Sequence, residues 1–243
     1  MKHLKRHLEL ETWFGADFLP ITRRASPPLV SVKPPVPGPV TPRKSEPEAS
    51  RKQNENFNYP PDFEEFRKSV LACTKCGLCS TRTQVVFGVG PLDAPLLFVG
   101  EAPGGDEDLQ GEPFVGRAGQ LLTKTLKKVG VERNRVYIAN ILKCRPPENR
   151  TPQFDEMAAC MPYLLKQIQA IRPKVLCALG NIAAQTLLNT KTGITRLRGK
   201  YVEAHGVQIL PTFHPAYVLR NMGELATFET DLRKACRDAG LIP

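Results

Sequence analysis

"FVGEAPGGDEDLQGEPFVG", residues 98–116, continues the apolar run Pro95-Leu96-Leu97-Phe98-Val99. That run reads as a buried strand, and the helical pattern resumes only at about Arg117. The residues between them form a loop at a strand's carboxyl end, where ligands bind in open α/β sheets. The loop holds five acidic residues and five glycines in a chain whose net charge is +10. Glycine lets backbone N–H groups come close to a flat ligand. Of the acidic side chains, Asp106, Asp108 and Glu112 read as solvated or helix-capping.

Outward from this loop the pattern alternates. Leu96–Val99, Val136–Ile141, Val175–Leu179 and Gln208–Pro211 read as four strands. Helical patterns cover 62–72 (capped by Asp62), 117–129, 153–171 (with a kink at Pro162), 181–188 and 224–239. Strands alternating with helices imply a mostly parallel sheet covered on both faces. Each strand then delivers its following loop to one rim. The rim gathers Glu101 after the first strand, Phe114 later in the same loop, Asn140 at the end of the second strand and His214 after the fourth. Singly, each has a structural explanation as cap, turn or core residue. Together, an amide and glycine-loop N–H groups can read the polar edge of a planar base while an aromatic ring supplies the stacking surface.

The 243 residues fit one sizeable α/β domain and a tail. Eight prolines in residues 27–47 mark a disordered linker of polyproline character. Before it, Leu4, Leu8 and Trp13 lie near helical spacing and suit a short amphipathic helix. The division is an extension over 1–61 and a folded domain over 62–243. Residues 1–61 carry ten Lys/Arg against six Asp/Glu, which leaves 24 against 18 for the remainder. The domain is therefore modestly basic, which permits nucleic-acid binding without requiring it. No apolar run reaches membrane-spanning length and no secretory signal is visible, so the expected compartment is the cytoplasm.

Seven cysteines stand at 73, 76, 79, 144, 160, 177 and 236, an odd count that argues against a disulfide framework. Cys73-Thr74-Lys75-Cys76 has metal-gripping spacing, and Cys144 with Cys160 can complete four sulfurs. A structural zinc ion and a [4Fe-4S] cluster both accept that set. Cys79 is a spare that could instead make a C-x2-C-x2-C run. Cys177, in an apolar strand, reads as core, and Cys236 as an ordinary half-buried thiol.

At this point the residues resemble the iron-sulfur, family 4 uracil-DNA glycosylases. The resemblance rests on "CTKCGLCSTRTQVVFGVG", "LLFVGEAPGGDEDLQGEPFVGRAGQLL", "VYIANILKCRPPENRTPQFDEMAACMPYL", "KVLCALGNIAAQTLL" and "FHPAYVLR", five blocks in the family's order from about Phe63 to Cys236. It implies a three-layer α/β/α domain round a four-stranded, mostly parallel sheet, and a [4Fe-4S] cluster on Cys73, Cys76, Cys144 and Cys160, with Cys79 a bystander. It also implies that Gly100, Glu101 and Ala102 line a uracil pocket with Glu107, that Phe114 stacks on the base, that Asn140 reads its polar edge and that His214 faces O2. Val89 and Ala216 depart from residues common in the family. Ala102 and the absence of histidine after Lys143 distinguish the chain from relatives that trap uracil-DNA covalently.

The activity implied is hydrolysis of the N-glycosidic bond of deoxyuridine in DNA by a monomer, with Glu101 and His214 catalytic. Thymine would be refused by crowding at C5 from Glu107 or Phe114. An acidic pocket needs basic residues elsewhere to hold phosphates, and the candidates are Arg82, Arg117, Lys143, Arg145, Arg150, Arg196, Arg198, Lys200 and Arg220. Tyr217, Val218 and Leu219 are candidates for a wedge that fills the space of a flipped base. The competing classes are a non-catalytic nucleic-acid-binding module with a structural metal site, which would leave no abasic site, and a zinc-dependent nucleotide hydrolase, which would be colourless.

Overall fold

The computed structural model describes residues 57–243. The short helix and proline-rich linker expected before them lie outside the described residues. Within 57–243, β1 (Leu96–Gly100), β2 (Tyr137–Asn140), β3 (Val175–Leu179), β4 (Val202–Ala204) and β5 (Val207–Thr212) form one sheet in the order β2-β1-β3-β5-β4. β1, β2, β3 and β5 are parallel to their neighbours, and β4 runs antiparallel on β5.

The sheet thus has five strands where four are expected from the sequence. β4 is three residues long with Val202 and Glu203 exposed, so it lacks a strand's apolar pattern. It exists because His205 (φ 53) and Gly206 (φ 72) make a tight turn that folds Val202–Ala204 back onto β5.

All five residues of β1 are buried, because helices cover both faces of a parallel sheet. Alternate residues point to opposite sides. Leu96 and Phe98 join one core with Leu122 and Leu126 of α3 (Arg117–Lys128) and Phe228 and Leu232 of α8 (Leu225–Asp238). Leu97 and Val99 join another with Leu164 and Ile168 of α4 (Phe154–Ile171) and Ala183 and Leu187 of α5 (Asn181–Leu188). Cys236 is fully buried in the first core rather than half-buried. Each large apolar side chain enclosed in this way contributes about 1.5–3 kcal/mol. A third cluster lies under α1 (Pro61–Leu71), where Phe63, Phe66 and Val70 meet Phe87, Leu142 and two cysteines.

Several element ends differ from expectation. Pro60, not Asp62, is the N-cap of α1, and Asp62 lies in its first turn, where a negative charge suits the helix dipole. α4 continues through Pro162 as one 18-residue helix, and its start is fixed by the Gln153 N–H donating to Glu156 Oε2 at 2.8 Å. Three short helices escape the periodicity altogether: α2 (Gly105–Gln110) inside the opening loop, α6 (Ile194–Leu197), and α7 (Pro215–Arg220).

A buried carboxylate joins α8 to the end of β5. Asp231, 3% exposed, accepts from Arg198 Nε at 3.0 Å, from Arg198 Nη2 at 2.6 Å and from the Thr212 hydroxyl at 2.7 Å. Arg198 is therefore engaged within the fold rather than presented to phosphate. Asp231→Ala leaves this guanidinium without its partner and is expected to lower the unfolding free energy by about 3–5 kcal/mol. Urea unfolding measures it, and a loss below about 1 kcal/mol would contradict the role given to this pair.

Candidate active site

In the order β2-β1-β3 the winding of the sheet reverses beside β1, and the carboxyl ends of β1 and β3 at such a switch point are where open α/β sheets bind ligands. Gly100 pairs with Asn140 across β1 and β2. The ladder runs on past both strands, with the Ile141 N–H donating to Gly100 O at 2.9 Å and the Leu142 N–H to Glu101 O at 3.0 Å. A Cβ at Gly100 would lie 2.5 Å from Asn140 Oδ1 and 2.5 Å from Phe114 Cζ. Glycine is thus what lets the amide and the ring meet. Asn140 is 2% exposed, and its Oδ1 is buried without a hydrogen-bond partner. Such an atom costs about 1–3 kcal/mol, which a donor on a ligand would recover.

Phe114 is held in place by unusual backbone. Its φ of 53° lies in the left-handed region, which a bulky residue adopts only when its surroundings enforce it. Arg133 Nη2 donates to Pro113 O at 2.5 Å, and a Cβ at Gly119 would overlap the Phe114 carbonyl. Glu107 completes the clamp: Oε1 accepts from the N–H groups of Val115 (3.0 Å) and Gly116 (2.9 Å), and Oε2 from Gly104 (3.1 Å). Both its oxygens are engaged with the loop that carries Phe114.

Two of the loop's other acidic residues are buried, contrary to the solvated reading. Asp108, 3% exposed, accepts from the N–H groups of Thr83 and Gln84 at 3.0 and 3.3 Å, tying the loop to the segment after the first cysteines. Glu112, 4% exposed, pairs with Arg133 at 3.5 Å. Asp106 alone of these three is exposed. Charges are tolerated in so tight a loop because backbone donors and one guanidinium satisfy them.

His214 follows β5 as the N-cap of α7, with Pro215 at the first helical position. Its ring lies 5.7 Å from that of Phe114, and a Cβ at Gly180 after β3 would be 2.8 Å from its own Cβ. Nδ1 accepts from the Ala216 N–H at 3.1 Å, so the ring proton of the neutral imidazole sits on Nε2. Burial and the Arg220 charge push the His214 pKa down to about 4, which keeps the ring neutral. Glu101 is half-buried, and burial raises its pKa above the usual 4.5. Ala102, also half-buried, packs against the third core cluster. Gly100, Phe114, Asn140 and His214 are thus linked by direct approach, with Glu101 adjoining. Gly119, Gly180 and the Ala216 N–H escaped the sequence reading. The His-Pro pair, a common helix start, was the available signal for the last.

The cysteines gather separately. Cys73, Cys76, Cys79, Cys144 and Cys160 line one small hollow, partly open to solvent, with Arg82, Lys143 and Tyr163 among its walls. Among the described residues no three His, Cys, Asp or Glu side chains converge on a point as they would round a single ion. The sulfurs do receive donors: Cys144 Sγ from Arg82 Nη1 at 3.2 Å, Cys160 Sγ from the Lys143 N–H at 3.3 Å and Cys73 Sγ from the Lys75 N–H at 3.5 Å. Burial raises the thiol pKa of Cys76 and Cys144 and pushes that of Cys160 up to about 12. A positive metal centre is what would bring them to the thiolate form. Soft sulfur donors of this kind accept a structural zinc ion or an iron-sulfur cluster alike.

Several phosphate candidates are otherwise engaged. Lys143 is 1% exposed and cannot reach DNA. Arg82 also donates to Cys73 O at 2.8 Å, Arg150 grips Glu156 at 2.6 and 2.9 Å and Arg145 Nε donates to Asn149 at 2.8 Å. Arg117, Arg196, Lys200 and Arg220 stand exposed. Of the wedge candidates, Val218 is fully buried in the first core, whereas Tyr217 is exposed.

The profile of the Uracil DNA glycosylase superfamily matches residues 87–239. A type-4 uracil-DNA glycosylase of Archaeoglobus fulgidus is 45% identical over 180 residues, covering 71% of this chain and 90% of the relative. That of Thermotoga maritima is 51% identical over 161 residues, covering 65% and 84%. That of Sulfurisphaera tokodaii is 42% identical over 190 residues, covering 74% and 86%. With the family match spanning the sheet and the rim, and relatives of this identity over most of their own length, the chain belongs to the uracil-DNA glycosylase superfamily, in its type-4 branch.

Proposed function

We propose that this protein is a DNA repair hydrolase that takes uracil, flipped out of DNA, into the crevice at β1 and β3 and cuts its N-glycosidic bond, leaving an abasic site. The observation that carries the reading is the buried, unpartnered Oδ1 of Asn140 beside Gly100 and the Phe114 ring. A uracil stacked on Phe114 brings N3–H as the missing donor. A base within the stack cannot reach this atom, so extrusion is required.

Bond cleavage leaves negative charge on the departing uracil and positive charge on the sugar. His214, neutral with its proton on Nε2, donates to the developing O2 anion. A preorganised donor of this kind contributes about 10²–10³ in rate. Glu101, as a carboxylate, orients the attacking water and faces the cationic sugar. The exposed Arg117 and Arg220 suit phosphates on either side of the flipped nucleotide.

Cys73, Cys76, Cys144 and Cys160 would hold a [4Fe-4S] cluster, with Cys79 dispensable. When bound, such a group supplies a rigid cross-link between the segment before β1 and the loop after β2. The protein acts as a monomer, and in the cytoplasm, a compartment that suits the unpaired thiols of Cys177 and Cys236. Among the described residues no helix is long and apolar enough to cross a membrane.

Single-turnover excision from a uracil-containing duplex is the test. His214→Ala is expected to slow cleavage about 10²–10³-fold with little change in DNA affinity. The wild-type rate should rise with pH through an ionisation above the usual 4.5 of a carboxylate and then level off. Glu101→Gln should abolish that rise, whereas His214→Ala should keep it beneath a lower ceiling, because His214 is already neutral above about pH 4. A pH limb that survives in Glu101→Gln would refute this assignment.

Cysteine substitution tests the metal reading independently. Purified Cys144→Ala should lose bound iron and visible absorbance, while Cys79→Ala should retain both. Iron lost equally from the two variants would remove the distinction between ligand and bystander.

A further inference from the structure

Lys143 lies in the chain between Asn140 and Cys144 and touches both sites they belong to, through its backbone N–H on one side and its Nζ on the other. It is 1% exposed and lines the cysteine hollow. Its Nζ donates to Asn140 O at 2.8 Å and to Gln167 Oε1 at 2.6 Å. Gln167, fully buried, is itself fixed through Nε2 by Phe87 O at 2.9 Å. The Lys143 N–H donates to Cys160 Sγ at 3.3 Å, and its C=O accepts from the Val86 N–H at 2.8 Å. The residue is thus anchored at both ends of its length.

The Nζ partners are a carbonyl and an amide, both neutral. Hydrogen bonds engage two of the ammonium's three protons but do not offset its charge, and a buried charge without an opposite one costs several kcal/mol. Four thiolates round a metal cluster carry net negative charge, and Lys143 lines the hollow where they gather. A glutamine or methionine would fill the same space without this cost, so the positive charge needs a reason.

We propose that Lys143 is a positioning residue: its ammonium is the buried counter-charge of the thiolate-held group, and its bond to the Asn140 carbonyl couples that hollow to the uracil-reading strand end. The inference rests on the glycosylase and cluster readings above. Its consequence is that the hollow and the pocket share one electrostatic element. Loss of the group strands a cation directly beneath the Asn140 backbone.

Lys143→Met and Lys143→Gln, purified with their clusters, test this through iron content, reduction potential and single-turnover excision, with the wild type alongside. Removing a buried positive charge favours the more oxidised, less negative state, so both variants should bind iron and show a more negative potential. Met, which offers no donor to Asn140, should also slow excision about tenfold or more, and Gln, which offers one, should recover part of that loss. Unshifted potentials in variants that hold iron would overturn the proposal, even with excision impaired, because a packing role alone would slow excision. If Lys143→Met fails to fold, the potential of Lys143→Gln decides by the same criterion. A wild type without iron or excision would instead defeat the parent readings and this one with them.

Discussion

The parallel pairing of Gly100 with Asn140 is the constraint on which the site depends. It brings a residue without a side chain opposite one whose amide must stay buried, at the rim where the loops leave the sheet. The space that Gly100 leaves is filled from two sides, by Asn140 Oδ1 and by the edge of Phe114. A shift of one residue in this register would turn Asn140 to the opposite face of the sheet. The two cores that cover β1, and the further hydrogen bonds at Ile141 and Leu142, are what hold it.

Round that pair the protein maintains groups in states they would not adopt in water. Phe114 keeps a left-handed backbone because Glu107, Arg133 and Gly119 enclose it. His214 is kept neutral with a defined tautomer by burial, by Arg220 and by the Ala216 N–H. These arrangements cost folding free energy and reduce the reorganisation needed when charge develops on a bound base. They also explain an acidic loop in a basic protein. Its carboxylates have different tasks, with Glu107, Asp108 and Glu112 fastening the loop to itself, to the cysteine segment and to Arg133, and Glu101 half-buried at the strand end with its pKa raised by burial.

The sheet was legible in the sequence because β1, β3 and β5 are dense apolar runs that parallel strands require. Phe114, Asn140 and His214 were legible because each follows such a run or its loop. What was not legible arises from contacts between distant segments. Nothing local to Asp108 reports that Thr83 and Gln84 supply its donors, and nothing local to Lys143 reports that Gln167, 24 residues on, encloses it. The charge of Lys143 read as a surface feature because lysine is rarely buried. β4 was invisible because three half-exposed residues carry no periodicity, and α2 because its start depends on Glu107 reaching back to Gly104.

One short segment, Asn140 to Cys144, runs from the strand end that carries Asn140 to the cysteine hollow, beside which Val70 of α1 belongs to an apolar cluster of its own. On the cluster reading proposed above, a group held there would stiffen the segment that presents Asn140 and so bear on recognition without a part in bond cleavage.

The central claim is that Asn140 Oδ1 is left without a donor in order to receive one from the base. A crystal structure with free uracil, the product of the reaction, tests it most directly. The account predicts the ring stacked on Phe114 with N3–H donating to Asn140 Oδ1 and O2 towards His214 Nε2. A uracil bound elsewhere, or one in this crevice with Asn140 Oδ1 still unpaired, would contradict it.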